Sequence, residues 1–164
     1  MFNYICSMKL EDEIKQKKFS SEFHKAQINI LFTASWVNGQ VIPVMKPYGI
    51  SSQQFNIMRI LRGQHPNPAP LKLLTERMID KMSNTSRLVE KLVQKKLVER
   101  KICKDNRRQI DISLTEKGMD VINKISDDME KFFKRKQEIT PEEAKELNRI
   151  LDKLRGYTDK SQTE

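Results

Sequence analysis

Lys81, Ser83, Asn84, Ser86, Arg87 and Lys91 fall within eleven positions of one another, mixing short hydrogen-bonding side chains with long cationic ones. On a helix, small Ser and Asn side chains permit close approach to base edges. Asn or Arg can then grip adenine or guanine in two-pronged fashion. Lys81, Lys91 and Lys95 suit phosphates, which fix position without reading sequence. Further on, Lys104, Arg107 and Arg108 form a basic tip, and a guanidinium fits a narrow, negative minor groove better than an ammonium does. The charge is localised: residues 81–108 hold ten Lys/Arg against three Asp/Glu, whereas the rest of the chain holds 21 against 19. A generally basic, well-solvated surface would spread that excess. Its concentration points to double-stranded DNA, where each neutralised phosphate releases a counterion.

Other chemistry is poorly supplied. No nucleophile–base pair, phosphate-binding glycine loop or paired catalytic carboxylates stand in a recognisable arrangement, so neither catalysis nor a cofactor is expected. Cys6 and Cys103 cannot build a disulfide framework, and His24 and His65 lack metal-ligand spacing. Cys103 lies near Arg100, Lys101 and Lys104. It reads either as an ordinary reduced thiol or as a redox-sensitive one whose pKa the cations lower. The absence of a long apolar run and of a secretory leader leads to the expectation of a cytoplasmic chain that does not cross a membrane.

The elements that must hold these residues are mostly helical. With 164 residues, mean hydropathy −0.67 and 32% charged residues, the chain suits one domain. From Phe23 to Tyr48 apolar residues step by three or four, predicting a long helix, with a bend or break at Pro43 and closure at Pro47 and Gly49. Ser51 with Gln54 is a capping-box pattern opening a second helix, after which HPNPAP reads as a rigid loop. Pro70 opens a short helix through Leu71, Leu74 and Met78. Ile79 and Asp80 then turn the chain into another helix, from about Met82 to Lys96. Leu97 and Val98 begin an extended segment, and Ile110, Ile112 and Leu114 alternate with polar residues, predicting a hairpin with a basic tip. Thr115 is placed to cap a long helix, and Thr140-Pro141-Glu142-Glu143 to start the last one. The expected fold is mainly α with a small β-hairpin, a winged helix-turn-helix flanked by long amphipathic helices. Their apolar stripes exceed what so small a core can cover, so a homodimer is expected, with a monomeric helical subdomain as the alternative.

The run LLTERMIDKMSNTSRLVEKLVQKKLVERKICKDNRRQIDISLTEKG, with its closing L-T-x-K-G at Leu114–Gly118, resembles the winged helix-turn-helix of the MarR family of bacterial transcription regulators. GISSQQFNIMRIL resembles the family's helix leading into that unit. The resemblance implies one MarR-like domain over 1–164, with dimerisation helices at 20–48 and 115–157 and the DNA-binding region at 51–114. It further implies a homodimer on two successive major grooves, acting most often as a repressor released by a small molecule or oxidant. An effector would lie between the dimer helices and the winged unit, where Trp36, Gln40, Phe55 and Met58 are candidate linings, although their period suits plain core packing equally. Three departures from the family pattern stand out. Ile79-Asp80-Lys81 replaces a Gly-Val-Ser turn, so Asp80 is the expected substitute cap. Cys103 and Asn106 occupy wing positions often held by Asp. Thr85 replaces an apolar residue, and its hydroxyl is expected to bond back to the helix backbone. The competing reading is a winged-helix module for protein or RNA association.

Overall fold

The computed structural model describes residues 8–102, 110–135 and 138–157. Contacts divide the chain into two compact units, Met1–Ser126 and Asp127–Glu164. In the first unit a short helix α1 (Leu10–Glu13) precedes α2 (Glu22–Met45), which starts where the Ser21 hydroxyl accepts the His24 N–H. Pro43 does not break α2: it falls in the last turn, and the helix continues to Met45 before a 3-10 turn at Lys46–Tyr48. Gly49, at φ 63°, ends the segment, its left-handed backbone letting its N–H reach the Lys46 carbonyl.

Helix α3 (Ser52–Gln64) carries the predicted capping box, with Ser51 and Gln54 each accepting the other's backbone N–H. The HPNPAP segment is not wholly a loop. Its last two residues form β1 (Ala69–Pro70), paired antiparallel with Ile112 and Asp111. The predicted hairpin therefore belongs to a three-stranded sheet of order β1-β3-β2, with β2 at Val98–Ile102 and β3 at Ile110–Leu114. A two-residue strand lies below the length at which alternation is visible, and Pro70 argues against one in sequence. Proline is tolerated here because β1 is an edge strand.

Between β1 and β2 lie α4 (Leu71–Arg77) and α5 (Thr85–Gln94). Leu74 and Met78 at the first, and Val89 and Leu92 on the second, are fully or almost fully buried together with Ile57 and Met58 of α3 and Ile112 of β3. Each such side chain contributes roughly 1.5–3 kcal/mol by leaving water. Helix α6 (Glu116–Lys134) adds Ile122 and Ile125 to the core.

The L-T-x-K-G sequence has a structural reason. The Thr115 hydroxyl donates to the Lys96 carbonyl and accepts the Gly118 N–H, while the Thr115 N–H bonds to the Leu97 carbonyl. A Cβ on Gly118 would stand 1.9 Å from the Leu97 carbonyl oxygen, so only glycine lets α6 start this close to the strand. Arg62 of α3 donates to Asn123 and Ser126 on α6, at 3.2 and 2.8 Å.

In the second unit α7 (Pro141–Leu154) begins at a full capping box between Thr140 and Glu143, with Pro141 in its first turn. Leu147, Ile150 and Leu154 are exposed along α7, none of whose residues is buried within this chain. No helix among the described residues is long and apolar enough to cross a membrane.

Candidate nucleic-acid interface

The recognition segment starts later than the sequence pattern indicates. Helix α5 runs from Thr85 to Gln94, so Met82 and Ser83 lie before it and Asn84 is its N-cap. The Asn84 carboxamide oxygen accepts the Arg87 N–H at 3.0 Å, which satisfies one of the orphan donors of the first turn. Asp80 is therefore not the cap. Its two carboxylate oxygens accept the Met82 N–H, at 3.0 Å, and the Ser83 hydroxyl, at 2.8 Å, fixing the turn that leads into the cap. These bonds, with the Ser83 hydroxyl first, hold the Asp80 carboxyl below the usual Asp range, and Gln53 adds a further one.

Thr85 also differs from expectation. It is the first helical residue, so the position four residues earlier, Lys81, lies outside the helix and presents no helical carbonyl. Its hydroxyl is buried and has no partner among the described residues.

Once α5 is formed, Thr85, Val89 and Leu92 face the core while Ser86, Arg87 and Lys91 are exposed. This is the division the sequence pattern requires of a helix that packs on one side and reads on the other. Lys81 is exposed as well, with its ammonium on the Glu76 carbonyl. Lys95 is directed elsewhere: it donates to the Gly49 carbonyl and, at 3.3 Å, to Gln54, joining the end of α5 to the start of α3. In this conformation it bridges the two helices.

The strand beside α5 is tied to it. Arg100 of β2 donates to Glu90 at 2.6 Å and to the Ser86 carbonyl at 3.5 Å. On the same strand Glu99 accepts from Lys101 and Ser113, which lowers its pKa, Lys101 being the larger cause. This pairing was not legible in the sequence, because the register of β2 against α5 depends on where α5 ends. Lys104, Arg107, Arg108 and Cys103, assigned from sequence to the hairpin tip, lie outside the described residues.

The candidate effector residues separate into two kinds. Met58 is fully buried and packs in the core. Trp36, Gln40 and Phe55 are half-buried, and the Trp36 indole N–H is shielded from solvent without an acceptor among the described residues. A different, open cleft of about 430 Å³ is lined by His65, Leu114, Thr115, Glu116, Met119 and Asp120, and includes none of the four. Among the described residues no group of three or more His, Cys, Asp and Glu is placed to hold a metal.

Comparison with known proteins agrees with this geometry. Residues 50–110, from the start of α3 to the start of β3, match the model of the MarR family. The chain is 29% identical over 111 residues to the HTH-type transcriptional regulator MgrA of Staphylococcus aureus, covering 68% of this chain and 74% of that one. In fold it is similar to AbsC, a MarR family regulator from Streptomyces coelicolor, at TM-score 0.70 and 21% identity over 86% of this chain and 100% of that one. It is also similar to the organohalide-sensing regulator RdhR-CbdbA1625 in its 2,4-dichlorophenol-bound form, at TM-score 0.76 and 21% identity over 96% and 90% of the two chains. An exposed polar and cationic helix face, backed by a core stripe and braced against a sheet, thus sits on the segment that matches the MarR family model: residues 50–110 of this chain are similar to the winged helix-turn-helix of MarR family regulators.

Proposed function

We propose that the chain is a homodimeric, sequence-specific regulator that binds duplex DNA through α5 and the wing and acts as a repressor released by a small molecule. The observation that carries this reading is the exposed Ser86–Arg87–Lys91 face of α5, fixed by an Asn84 cap and an Arg100–Glu90 clasp. A helix fixed at its start and along its length enters a groove with little further ordering cost. Arg87 serves as a base reader, Lys81 and Lys91 as phosphate contacts, and Lys104, Arg107 and Arg108 as wing contacts.

The dimer is proposed because α2 and α7 carry apolar side chains in water. Phe23 is 82% exposed and Leu31 72% exposed on α2, while Leu147, Ile150 and Leu154 are exposed on α7. A second copy would cover these stripes, which fits the division of the chain into helices at 20–48 and 115–157 around a DNA-binding region at 51–114. An effector is proposed to lodge against Trp36, Gln40 and Phe55, where the shielded indole N–H offers a donor to an aromatic ligand carrying an acceptor. The 2,4-dichlorophenol on a protein of the same fold has that chemistry.

Selection of bound sequences from a random duplex library tests the reading. The expected product is a near-palindrome with half-site centres about 10 bp apart. Arg87→Ala should erode discrimination at particular bases, and Lys104→Ala should weaken all duplexes evenly and flatten the salt dependence. Indistinguishable affinity for every duplex, or a monomer at working concentrations, overturns it.

A further inference from the structure

We propose that Met82 reads a thymine, packing its thioether on the C5-methyl group in the major groove; this rests on the assignment of α5 as the DNA-reading helix. Met82 is 94% exposed, an unbranched apolar side chain standing in water two residues before the N-cap of α5. The N-terminal end of a recognition helix is the end that meets base edges.

Its neighbours have spent hydrogen-bonding capacity within the protein. The Ser83 hydroxyl is donated to Asp80, the Asn84 carboxamide oxygen is taken by the Arg87 N–H, and both Asp80 carboxylate oxygens are occupied. The Met82 N–H is likewise held by Asp80, so the backbone is fixed while the side chain projects freely.

What remains at this corner is an exposed apolar arm next in sequence to the exposed Lys81, just ahead of a helix that carries the exposed cations Arg87 and Lys91. The cations favour a phosphate-bearing occupant and disfavour an apolar protein surface, which would have to desolvate them. In the major groove only thymine presents an apolar group. The flexible thioether adapts to a methyl whose position varies with local helix geometry.

The test starts from a duplex selected by the parent protein from a random library. Each thymine pair related by the two-fold is then replaced by deoxyuridine, which removes only the methyl, and Kd is measured by fluorescence anisotropy for the parent and for Met82→Ala. The parent should lose about three- to fivefold per half-site at one thymine position. Met82→Ala should lose a similar factor on the thymine duplex and nothing further with uracil there, with an unchanged salt slope because no phosphate contact is removed. Equal uracil penalties for both proteins at every position overturn the proposal. So does unchanged affinity of Met82→Ala on all duplexes, the result expected of a residue that faces a protein partner. Failure of the parent to enrich any motif would instead remove the DNA-reading assignment, and this proposal with it.

Discussion

Helix α5 gathers its apolar residues on one face, whereas α2 carries them around much of its circumference, and the two end in opposite situations. In ten residues α5 buries Thr85, Val89 and Leu92, and it is fixed by Asn84 at one end and Lys95 at the other. In twenty-four residues α2 buries only Val41 and Met45, both near its C-terminus, and leaves Phe23, Leu31 and Ile42 exposed. A helix that is apolar on most sides needs more cover than a helix with a single stripe, and neither pattern states what supplies it. Helix α5 is completed within one chain, so its outer face is fixed without a partner. Helix α2 is left incomplete, which is the physical ground for a second copy.

The comparison is broken most forcefully at Leu31. If a partner copy covers α2, Leu31→Glu places an uncompensated charge in that interface and should cost about 3–5 kcal/mol of association free energy, dissociating the dimer in sedimentation experiments. The monomer should remain folded, since Leu31 is exposed within one chain. A persistent dimer would mean that α2 is covered by something else.

A smaller effect is expected where α6 meets the strand. Gly118→Ala should destabilise the fold by about 1–3 kcal/mol in urea titrations, since the new methyl has backbone and not a flexible side chain in its way. At an unobstructed helix position the same change would gain roughly 1 kcal/mol, so the sign of the result decides whether the close approach exists.

At the start of α5, Asn84→Ala should remove about 1 kcal/mol of stability, while Asn84→Ser keeps a capping oxygen and most of that stability. If Asn84 acts as a cap, the Ser variant also keeps its base preference in a library selection. If it reads adenine directly, that preference is lost at one position.

The smallest effect concerns acid. Because the folded Asp80 carboxyl titrates below the ordinary Asp value of 3.8, its stabilisation of the turn is complete above that value. It is lost as pH falls through the depressed folded one. Amide shifts of Met82 and Ser83 followed by NMR should therefore titrate below the ordinary range, and Asp80→Asn should abolish the transition.

Much of this architecture was legible in advance. The capping boxes at Ser51 and Thr140, the Thr115 cap and the closure at Gly49 were readable because each is a local bargain between a side chain and orphan backbone groups a few residues away. The placement of Ser86, Arg87 and Lys91 on the outer face followed from the buried period of α5. The start of α5 was misplaced by about one turn, since Ser83, Asn84 and Asp80 are all credible caps and only the folded turn decides between them. The bridge made by Lys95 was not legible for a related reason: its acceptor on Gly49 lies 46 residues away in sequence.

The sequence by itself determined the order of helices and strands, the localised charge and most of the caps, because these depend on residue type and on neighbours within a turn or two. Tertiary structure decided which polar groups are already spent. Asp80 holds Ser83, Asn84 holds Arg87, Arg100 holds Glu90, and Met82 is left exposed among them. Whether a donor or acceptor is available to a ligand depends on what the fold has brought within about 3 Å of it, and that distance is not written in spacing along the chain.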